Sequence, residues 1–304
     1  MKVLTTWSAC ALSLMIAATA PNLRAQFQIP YNAGQNVAPV FEGWEKNRDG
    51  TFNLVFGYMN RNYEEQPEIP VGPSNTFSPE PIDRGQPTHF YPRRQQFMFK
   101  VKVPANFGKQ QLVWALTRNG KTEKSVGKLD LEWEISQVVY SQNRRGLGSD
   151  AAVAPTNEPP TISIDGPGER GATVGDTLTL TASASDDGIP KPTDASQGRG
   201  RADDVRRSAP PPLIAIRQGG PVQQQIIQPN REGLTVTWIQ WRGPGRLTFA
   251  PMRTLVRDGK ASTSVTLTEP GVFVIRAYAD DGIVFEPADA TVIVTPGPRP
   301  SGQN

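Results

Sequence analysis

The 304-residue sequence contains one cysteine, Cys10, and one histidine, His89, and both scarcities exclude classes of site. Without Cys10, which we expect to be removed, the chain has no disulfide, thiolate nucleophile or cysteine-bound metal. A single histidine excludes a metal centre built on histidines and leaves His89 as the one available imidazole base for a hydrolytic triad. No Gly-x-Ser-x-Gly motif accompanies it. The sequence therefore predicts that the protein is not an enzyme and that His89 is a loop or core residue.

Long apolar runs are also scarce, and the longest lies at the N-terminus. Lys2, the apolar residues 3–20 and the small residue Ala25 follow one another in the layout of a secretory signal peptide. We expect residues 1–25 to be cleaved off; cleavage after Ala20 and retention of the run as a membrane anchor are the alternatives. No later segment is long and apolar enough to cross a bilayer. The sequence thus predicts an extracytoplasmic protein, periplasmic or secreted, with no transmembrane segment after signal removal.

Net charge is small once this segment is removed. Lys2 and Arg24 are the only charged residues before Gln26, so 30 basic and 29 acidic residues remain. Such a balance gives no electrostatic reason to expect a nucleic acid partner. We expect an unidentified protein or polysaccharide as the partner instead.

Residues 26–140 are predicted to form a β-rich domain. Apolar and polar side chains alternate with the period of two that is typical of half-buried strands. The sequence Asn119-Gly120 between two extended runs indicates a tight hairpin, and Asp49-Gly50 indicates another turn. No stretch predicts a helix. The predicted strands include 52–58, 97–103, 112–117 and 129–135.

Two features of this domain bear on binding. Residues 60–92 contain seven prolines and no strand pattern, and a loop of this length in a compact domain is usually functional or disordered. We therefore expect a binding surface there. Trp114 and Trp133 lie in alternating strand patterns and are predicted core residues, whereas Trp44 and Tyr63 lie near turns and are candidate ligand-binding residues, for instance as a carbohydrate platform.

Residues 141–160, rich in Gly, Ser, Ala, Asn and Pro, are predicted to be a linker. A second domain, 161–296, follows, with about seven short strands and turn signals between them, which is the pattern of a β-sandwich. Residues 195–232 interrupt it as a long insertion between two strands, and 297–304 form a polar tail. The arginine-rich first half of the insertion is a second candidate recognition element.

The second domain resembles the polycystic-kidney-disease-type (PKD) and related immunoglobulin-like modules of bacterial extracellular proteins. Matching elements are the Asn-Glu-Pro-Pro start at Asn157, two Asp-Asp-Gly turns, Val236-Thr237-Trp238, and Pro270-Gly271-Val272-Phe273. The residues after Trp238, Ile239-Gln240-Trp241, depart from the Trp-Asp-Phe-Gly-Asp-Gly form of that family. The resemblance implies an immunoglobulin-like fold for the second domain, with Trp238 as its central core tryptophan. Together with the strand pattern of the first domain, the sequence predicts an all-β protein of two β-sandwich-like domains. The first domain resembles segments of exported bacterial proteins of uncharacterised activity.

One candidate metal site follows from the aspartates. Two Asp-Asp-Gly sequences contain Asp186, Asp187, Asp280 and Asp281. If both lie at one end of a sandwich, their four carboxylates could supply part of a calcium site, which takes six or more oxygen ligands. The alternative is that each Asp-Asp-Gly is a turn in which aspartate bonds to nearby backbone. No other cofactor is expected.

The sequence Gly166-Pro167-Gly168-Glu169-Arg170-Gly171 matches a dinucleotide-binding motif, but strand-patterned residues follow it where that motif requires a helix. We expect a turn. As a whole the sequence predicts an exported, non-catalytic scaffold or binding protein that mediates protein or polysaccharide contacts outside the cytoplasm. The alternative is an accessory carbohydrate-binding module of a secreted hydrolase system.

Overall fold

The computed structural model describes residues 31–145, 156–192, 225–227 and 232–297. The predicted signal peptide, half of the predicted linker (146–155), most of the insertion and the end of the tail lie outside these residues, so predictions about them stay predictions. No helix within the described ranges has the length and apolar character needed to span a membrane.

The first half of the structure contains two three-stranded antiparallel sheets. One has the order β1-β2-β4 and the other β3-β5-β6. Between them lies a core of aromatic rings, in which Phe56 contacts Phe77, Phe99 and Trp114 at centroid distances of 5.4 to 6.0 Å. The strands are β1 (Val37–Lys46), β2 (Phe52–Asn60), β3 (Asn75–Ser78), β4 (Arg93–Val103), β5 (Leu112–Arg118) and β6 (Lys121–Gly127).

Most predicted strands of this half are confirmed, because 52–58, 97–103 and 112–117 lie inside β2, β4 and β5. Asn119 and Gly120 connect β5 to β6 with φ values of 51° and 71°. Positive φ at both central residues is the requirement of a tight two-residue hairpin, and Asn-Gly meets it at little steric cost.

The predicted strand at 129–135 is wrong. Leu131–Trp133 form a short 3-10 helix, in which Leu131 is 80% exposed and Trp133 41% exposed, so Trp133 is not a core residue. Leu and Trp alternate with acidic residues here, and this pattern resembles that of a half-buried strand. In the structure the segment joins neither sheet and instead runs alongside β1, where the Ile135 N–H donates to the Trp44 carbonyl at 2.7 Å. Helix α1, Gln137–Arg145, follows, although no helix was predicted there.

The described part of the second half is a sandwich of nine strands. Its sheets have the orders β11-β13-β9-β7 and β12-β10-β14-β15-β8, and β8 pairs with β15 in parallel. Strands β7, β9, β13 and β11 correspond to A, B, E and D of an immunoglobulin domain, and β10, β14 and β15 to C, F and G. The immunoglobulin-like sandwich is therefore confirmed by its sheet order. The strands are β7 (Thr161–Ile164), β8 (Glu169–Thr173), β9 (Thr177–Ser185), β10 (Thr235–Arg242), β11 (Thr248–Ala250), β12 (Arg253–Leu255), β13 (Lys260–Thr266), β14 (Gly271–Asp280) and β15 (Phe285–Thr295).

Trp238 lies on β10 in the core of this sandwich, with no exposed surface, as predicted. The glycine-rich 166–171 motif leads into strands β8 and β9 rather than a helix, so the predicted turn is confirmed. β8, β11 and β12 were not predicted; the last two have three residues each, too short to show an alternating pattern.

Strand β10 is buried on both faces. Val236 and Trp238 pack into the core of the second sandwich, whereas Ile239 and Trp241 belong to the same buried cluster as the first sandwich's core. Tyr278 of β14 joins them there. The sheet that carries β10 and β14 thus lies between two cores, so the two sandwiches share a buried apolar junction.

Candidate functional site

The junction is built around the end of β10. The Trp241 carbonyl accepts the Thr88 N–H at 3.1 Å, and Trp241 Nε1 donates to the Gly85 carbonyl at 3.0 Å. The Gln240 N–H donates to the Tyr91 hydroxyl at 3.0 Å. These partners lie in the proline-rich stretch 60–92, whose residues 86–92 are buried. This part of the predicted binding loop is therefore engaged inside the protein.

Charged pairs fasten the junction on two sides. At the surface, Arg242 makes a bidentate pair with Asp83 at 2.7 and 2.9 Å. In the interior, Arg144 of α1 makes a bidentate pair with Asp280 at 2.8 and 2.9 Å and also donates to the Ile283 carbonyl at 3.1 Å. The interior side chains are at most 1% exposed, so each charge depends on the other for compensation.

The second Asp-Asp-Gly turn supplies Asp280 to this pair and Asp281 to a neighbouring set of hydrogen bonds. The Asp281 carboxylate accepts the Ile283 and Val284 N–H groups at 2.6 and 2.8 Å and the Asn157 side-chain amide at 2.9 Å. Burial raises the pKa of Asp281 to about 6 despite these hydrogen bonds. Asp280 and Asp281 therefore serve as the junction's internal acceptors.

The aspartates of the first turn are engaged locally. Asp186 accepts the Gly188 N–H at 2.9 Å, and burial raises the pKa of Asp186. Asp187 accepts the Ile189 N–H at 2.8 Å and the Glu158 N–H at 2.9 Å. The described part of the chain contains no group of three or more His, Cys, Asp or Glu residues able to hold a metal ion. The structure thus does not bring the four aspartates together as a calcium site.

Of the two candidate ligand-binding aromatics, Trp44 is buried and Tyr63 is half-buried. Trp44 is buried on β1, donates from Nε1 to the Asp130 carbonyl at 2.8 Å and meets the ring of Phe52 edge-on. Tyr63 is half-buried, with the Arg93 guanidinium 4.1 Å from its ring centroid. Trp44 therefore has little surface left for a ligand, whereas Tyr63 makes a cation–π contact and keeps part of its surface, so a ligand-binding role for these aromatics stays a prediction.

His89 is a buried junction residue. Its Nε2 lies 2.9 Å from Gln66 Oε1, its ring is 5.0 Å from that of Tyr91, and it is 2% exposed. Burial, assisted by the positive charge of Arg246, lowers the pKa of His89 to about 4. The imidazole is therefore neutral near pH 7, as predicted for a core histidine.

A cleft of about 680 Å³ opens beside α1 where the sandwiches meet. On its wall, the Lys100 ammonium lies 3.0 Å from Glu45 and 2.7 Å from Glu286. Burial alone would lower the pKa of Lys100, but the two carboxylates raise it. The Tyr140 hydroxyl donates to Glu45 at 3.2 Å, and burial holds its pKa well above the ordinary value.

Both exposed and buried residues line the cleft. The lining residue Arg48 forms an ion pair with Glu158 at 3.4 Å, and both side chains are highly exposed. Gln137 and Asn157 also line the cleft, and Gln137 donates from Nε2 to the Asn157 carbonyl at 2.7 Å. Gln137 Oε1 and Asn157 Oδ1 are both buried, and neither has a hydrogen-bond partner among the residues that the structure describes.

Sequence reasoning missed this cleft because its walls come from distant parts of the chain. The alternation of 97–103 does place Lys100 on the polar side of β4, but its partner Glu286 is 186 residues away. Local patterns carry no information about such a pairing. The sequence Ile239-Gln240-Trp241 is the weak signal that the two sandwiches pack together. Its apolar residues lie on the face of β10 that an isolated sandwich would expose to water.

Comparisons with known proteins give no family assignment. No family model matches the chain, and no curated protein matches it. Among solved structures, a chimeric titin Z1Z2 functionalised with a KLER peptide from decorin is 10% identical, with 86% of this chain and 99% of that one covered and a TM-score of 0.23. The D00-D0 domain of intimin is 11% identical, with 85% and 100% covered and a TM-score of 0.25.

The S-layer protein rSbsC is 11% identical, with a TM-score of 0.25; 87% of this chain is covered, but only 28% of that one. At TM-scores this low the likenesses support no conclusion. The immunoglobulin-like assignment rests on the sheet order of the second sandwich.

Proposed function

We propose that the protein is an exported, non-catalytic scaffold or binding protein that mediates protein or polysaccharide contacts outside the cytoplasm. The observation that carries this proposal is the junction, where polar and ionisable side chains hold one sandwich against the other. His89, Asp280, Asp281 and Arg144 are all buried there and are used in internal contacts. Side chains that make internal contacts of this kind fix the orientation of the two sandwiches and are not available to act on a substrate.

A fixed pair of sandwiches suits a contact protein because its surface loops keep constant relative positions. The signal-like residues 1–25 support export, and the cysteine-free chain after them needs no oxidising machinery to fold. The proposal includes cleavage before Gln26, division into domains at 26–140 and 161–296 with the linker 141–160, and membership of the second sandwich in the PKD-type group.

Export and contact can be tested on the full-length protein in a bacterial host. We expect intact mass or N-terminal sequencing to place the start of the exported form at Gln26, in the extracytoplasmic fraction. We further expect the purified exported protein to be retained on envelope polysaccharides or on a defined envelope protein without altering them. An uncleaved cytoplasmic product, or turnover of a polysaccharide or peptide probe by the pure protein, would contradict the proposal.

A further inference from the structure

We infer that a small pocket at the junction binds a single aromatic ring. Residues of β4 line this pocket from the first sandwich, residues of β14 and β15 line it from the second, and it shares Lys100 and Glu286 with the cleft beside α1. The inference goes beyond the proposed function, because it concerns the chemistry of one pocket, whichever molecule presents the ring. It depends on the size of the pocket, its aromatic wall and the charges that line it.

The pocket has the size of one six-membered ring. Its volume is about 180 Å³, and an apolar cavity of about 150 Å³ is large enough to hold benzene. Sites for larger small molecules span roughly 300–1,000 Å³. Gly85 and Pro287 are exposed residues of the lining, so the pocket is open to solvent. It therefore accommodates one ring and excludes larger ligands.

Most of the wall is aromatic. Phe97 and Phe99 lie on the side of the first sandwich, and Tyr278 and Phe285 on the side of the second. Rings of this junction already meet at steep angles, since Tyr278 and Phe285 are 5.1 Å apart with their planes at 87°, and Phe99 and Trp241 are 5.8 Å apart at 68°. Aromatic pairs prefer such contacts because ring edges are partly positive and ring faces partly negative. A bound aromatic ring can extend this packing.

The charged groups at the pocket are compensated within the protein. Arg276 makes a bidentate pair with Asp289, with both N···O distances at 2.7 Å, and Lys100 lies between two carboxylates. These three carboxylates equal in number the three cations of the lining, of which Arg84 is the third. A charged ligand would compete with pairs that are already formed. The pocket therefore favours a neutral ring.

Cations form most of the charged lining. Arg84, Lys100 and Arg276 line the pocket, and Glu286 is the one carboxylate among the described lining residues. Arg276 already holds one ring, because its Cζ lies 3.7 Å from the ring centroid of Trp241, which is outside the lining. A nearby cation attracts the face of an aromatic ring, and the planar guanidinium of arginine also stacks on rings. A saturated ring gains neither interaction, so the lining selects an aromatic one.

The test uses NMR titration of the exported protein with two matched pairs of probes. One pair is benzyl alcohol and its saturated counterpart cyclohexylmethanol. The other is the peptide Gly-Gly-Phe-Gly-Gly and its cyclohexylalanine analogue. We expect the aromatic member of at least one pair to bind about tenfold more tightly than the saturated member. The first pair represents a free small molecule and the second a side chain of a partner protein, so the pair that binds identifies the source of the ring.

Two variants locate the binding. Pro287 is exposed on β15 and lines the pocket, so Pro287→Phe places the chain's own ring there. Pro296, exposed just after β15 and outside the lining, provides the matched control Pro296→Phe. We expect affinity for the aromatic probe to fall at least tenfold in Pro287→Phe and to stay unchanged in Pro296→Phe.

Three results would overturn the inference. They are equal affinities for the aromatic and saturated members of both pairs, absence of binding to all four probes, and equal affinities in the two phenylalanine variants. Circular dichroism shows whether each variant is folded. If Pro287→Phe does not fold, the preference measured on the unmodified protein still decides. None of these results affects the proposed export and envelope contacts, which fractionation and retention test separately.

Discussion

At the scale of single residues, the junction depends on charges and polar groups removed from water. Buried ionisable groups are stabilised here in two ways. Arg144 and Asp280 form an ion pair in which each charge compensates the other. His89 has a lowered pKa and is therefore uncharged near pH 7. Removing one partner of the pair leaves a buried charge uncompensated, whereas an exposed pair loses little. These differences lead to predictions about stability.

Arg144→Met should lower the free energy of unfolding by about 3–5 kcal/mol, the range for breaking a buried pair. Urea denaturation at pH 7 measures this change. Arg48→Met, which removes the exposed partner of Glu158, is the control and should cost less than about 1 kcal/mol. Equal effects of the two substitutions would show that Arg144 is solvated in solution.

Trp238→Ala should cost about 3–5 kcal/mol, as large-to-small substitutions in cores do. Trp238 is fully buried in the second sandwich, while Trp133 is 41% exposed. Trp133→Ala is thus the matched control and should cost roughly 1 kcal/mol, an ordinary value for a partly exposed site. The comparison is contradicted if thermal denaturation ranks the two substitutions in the reverse order.

The lowered pKa of His89 predicts that the stability of the protein depends on pH. Its pKa is about 4 in the folded protein and about 6.5 in the unfolded chain, so the unfolded chain binds the extra proton between these values. Stability from His89 is complete above pH 6.5 and falls as pH decreases toward 4, by about 3 kcal/mol in total. Asp281, with its raised pKa of about 6, acts in the opposite direction over much of this window.

The measurement must therefore compare variants. The difference in unfolding free energy between the unmodified protein and His89→Gln should shrink by about 3 kcal/mol from pH 7 to pH 4. Asp281→Asn, compared in the same way, should change with pH in the opposite sense. A His89→Gln difference that stays constant with pH would mean that His89 is exposed to solvent in the folded protein.

At the scale of elements, the long alternating strands could be predicted from the sequence and the short or connecting elements could not. The period of two is visible in the longer strands β2, β5, β9 and β10. The sequence Asn119-Gly120 by itself predicts the hairpin turn between β5 and β6. Leu131 and Trp133 mimic that period without a sheet to join. The cleft was beyond prediction, because Lys100 and Glu286 become neighbours only through tertiary packing of the two halves.

The insertion 195–232 supplies an element-scale prediction. Its described residues 225–227 contact the first sandwich, where the Ile226 N–H donates to Gln95 Oε1 at 2.9 Å and Ile227 is buried in the core cluster. Replacing residues 195–222 by a short Gly-Ser linker should change stability by only ~1 kcal/mol, since loop-closure entropy varies slowly with length.

A second variant extends that replacement through residue 227. It should lose a further 2–5 kcal/mol, comparable to truncation of a buried isoleucine. Chemical denaturation of both variants separates the contributions. If the shorter replacement already abolishes folding, the residues it removes have a structural role that the anchoring segment 225–227 does not account for.

At the scale of the whole molecule, the two sandwiches should unfold together. The core of the first sandwich includes three side chains from the second, those of Ile239, Trp241 and Tyr278. Separating the two sandwiches would expose these side chains to water. Calorimetry of the full protein should show one cooperative transition. Trp241→Ala should weaken the coupling and produce two transitions, or one markedly broadened transition, while Val126→Ala, at a partly exposed site on β6, should keep the single transition.

The sheet shared between two cores also has a consequence for biogenesis. If the chain crosses a membrane from its N-terminus, β1 to β6 emerge first, but the apolar surface that they must cover is supplied by residues 239–285, which emerge much later. Contacts between positions nearly two hundred residues apart, such as Lys100 with Glu286, slow folding because the intervening chain must first be ordered. In that case the first sandwich would cross the membrane with an incomplete core, and its maturation would depend on the arrival of the second.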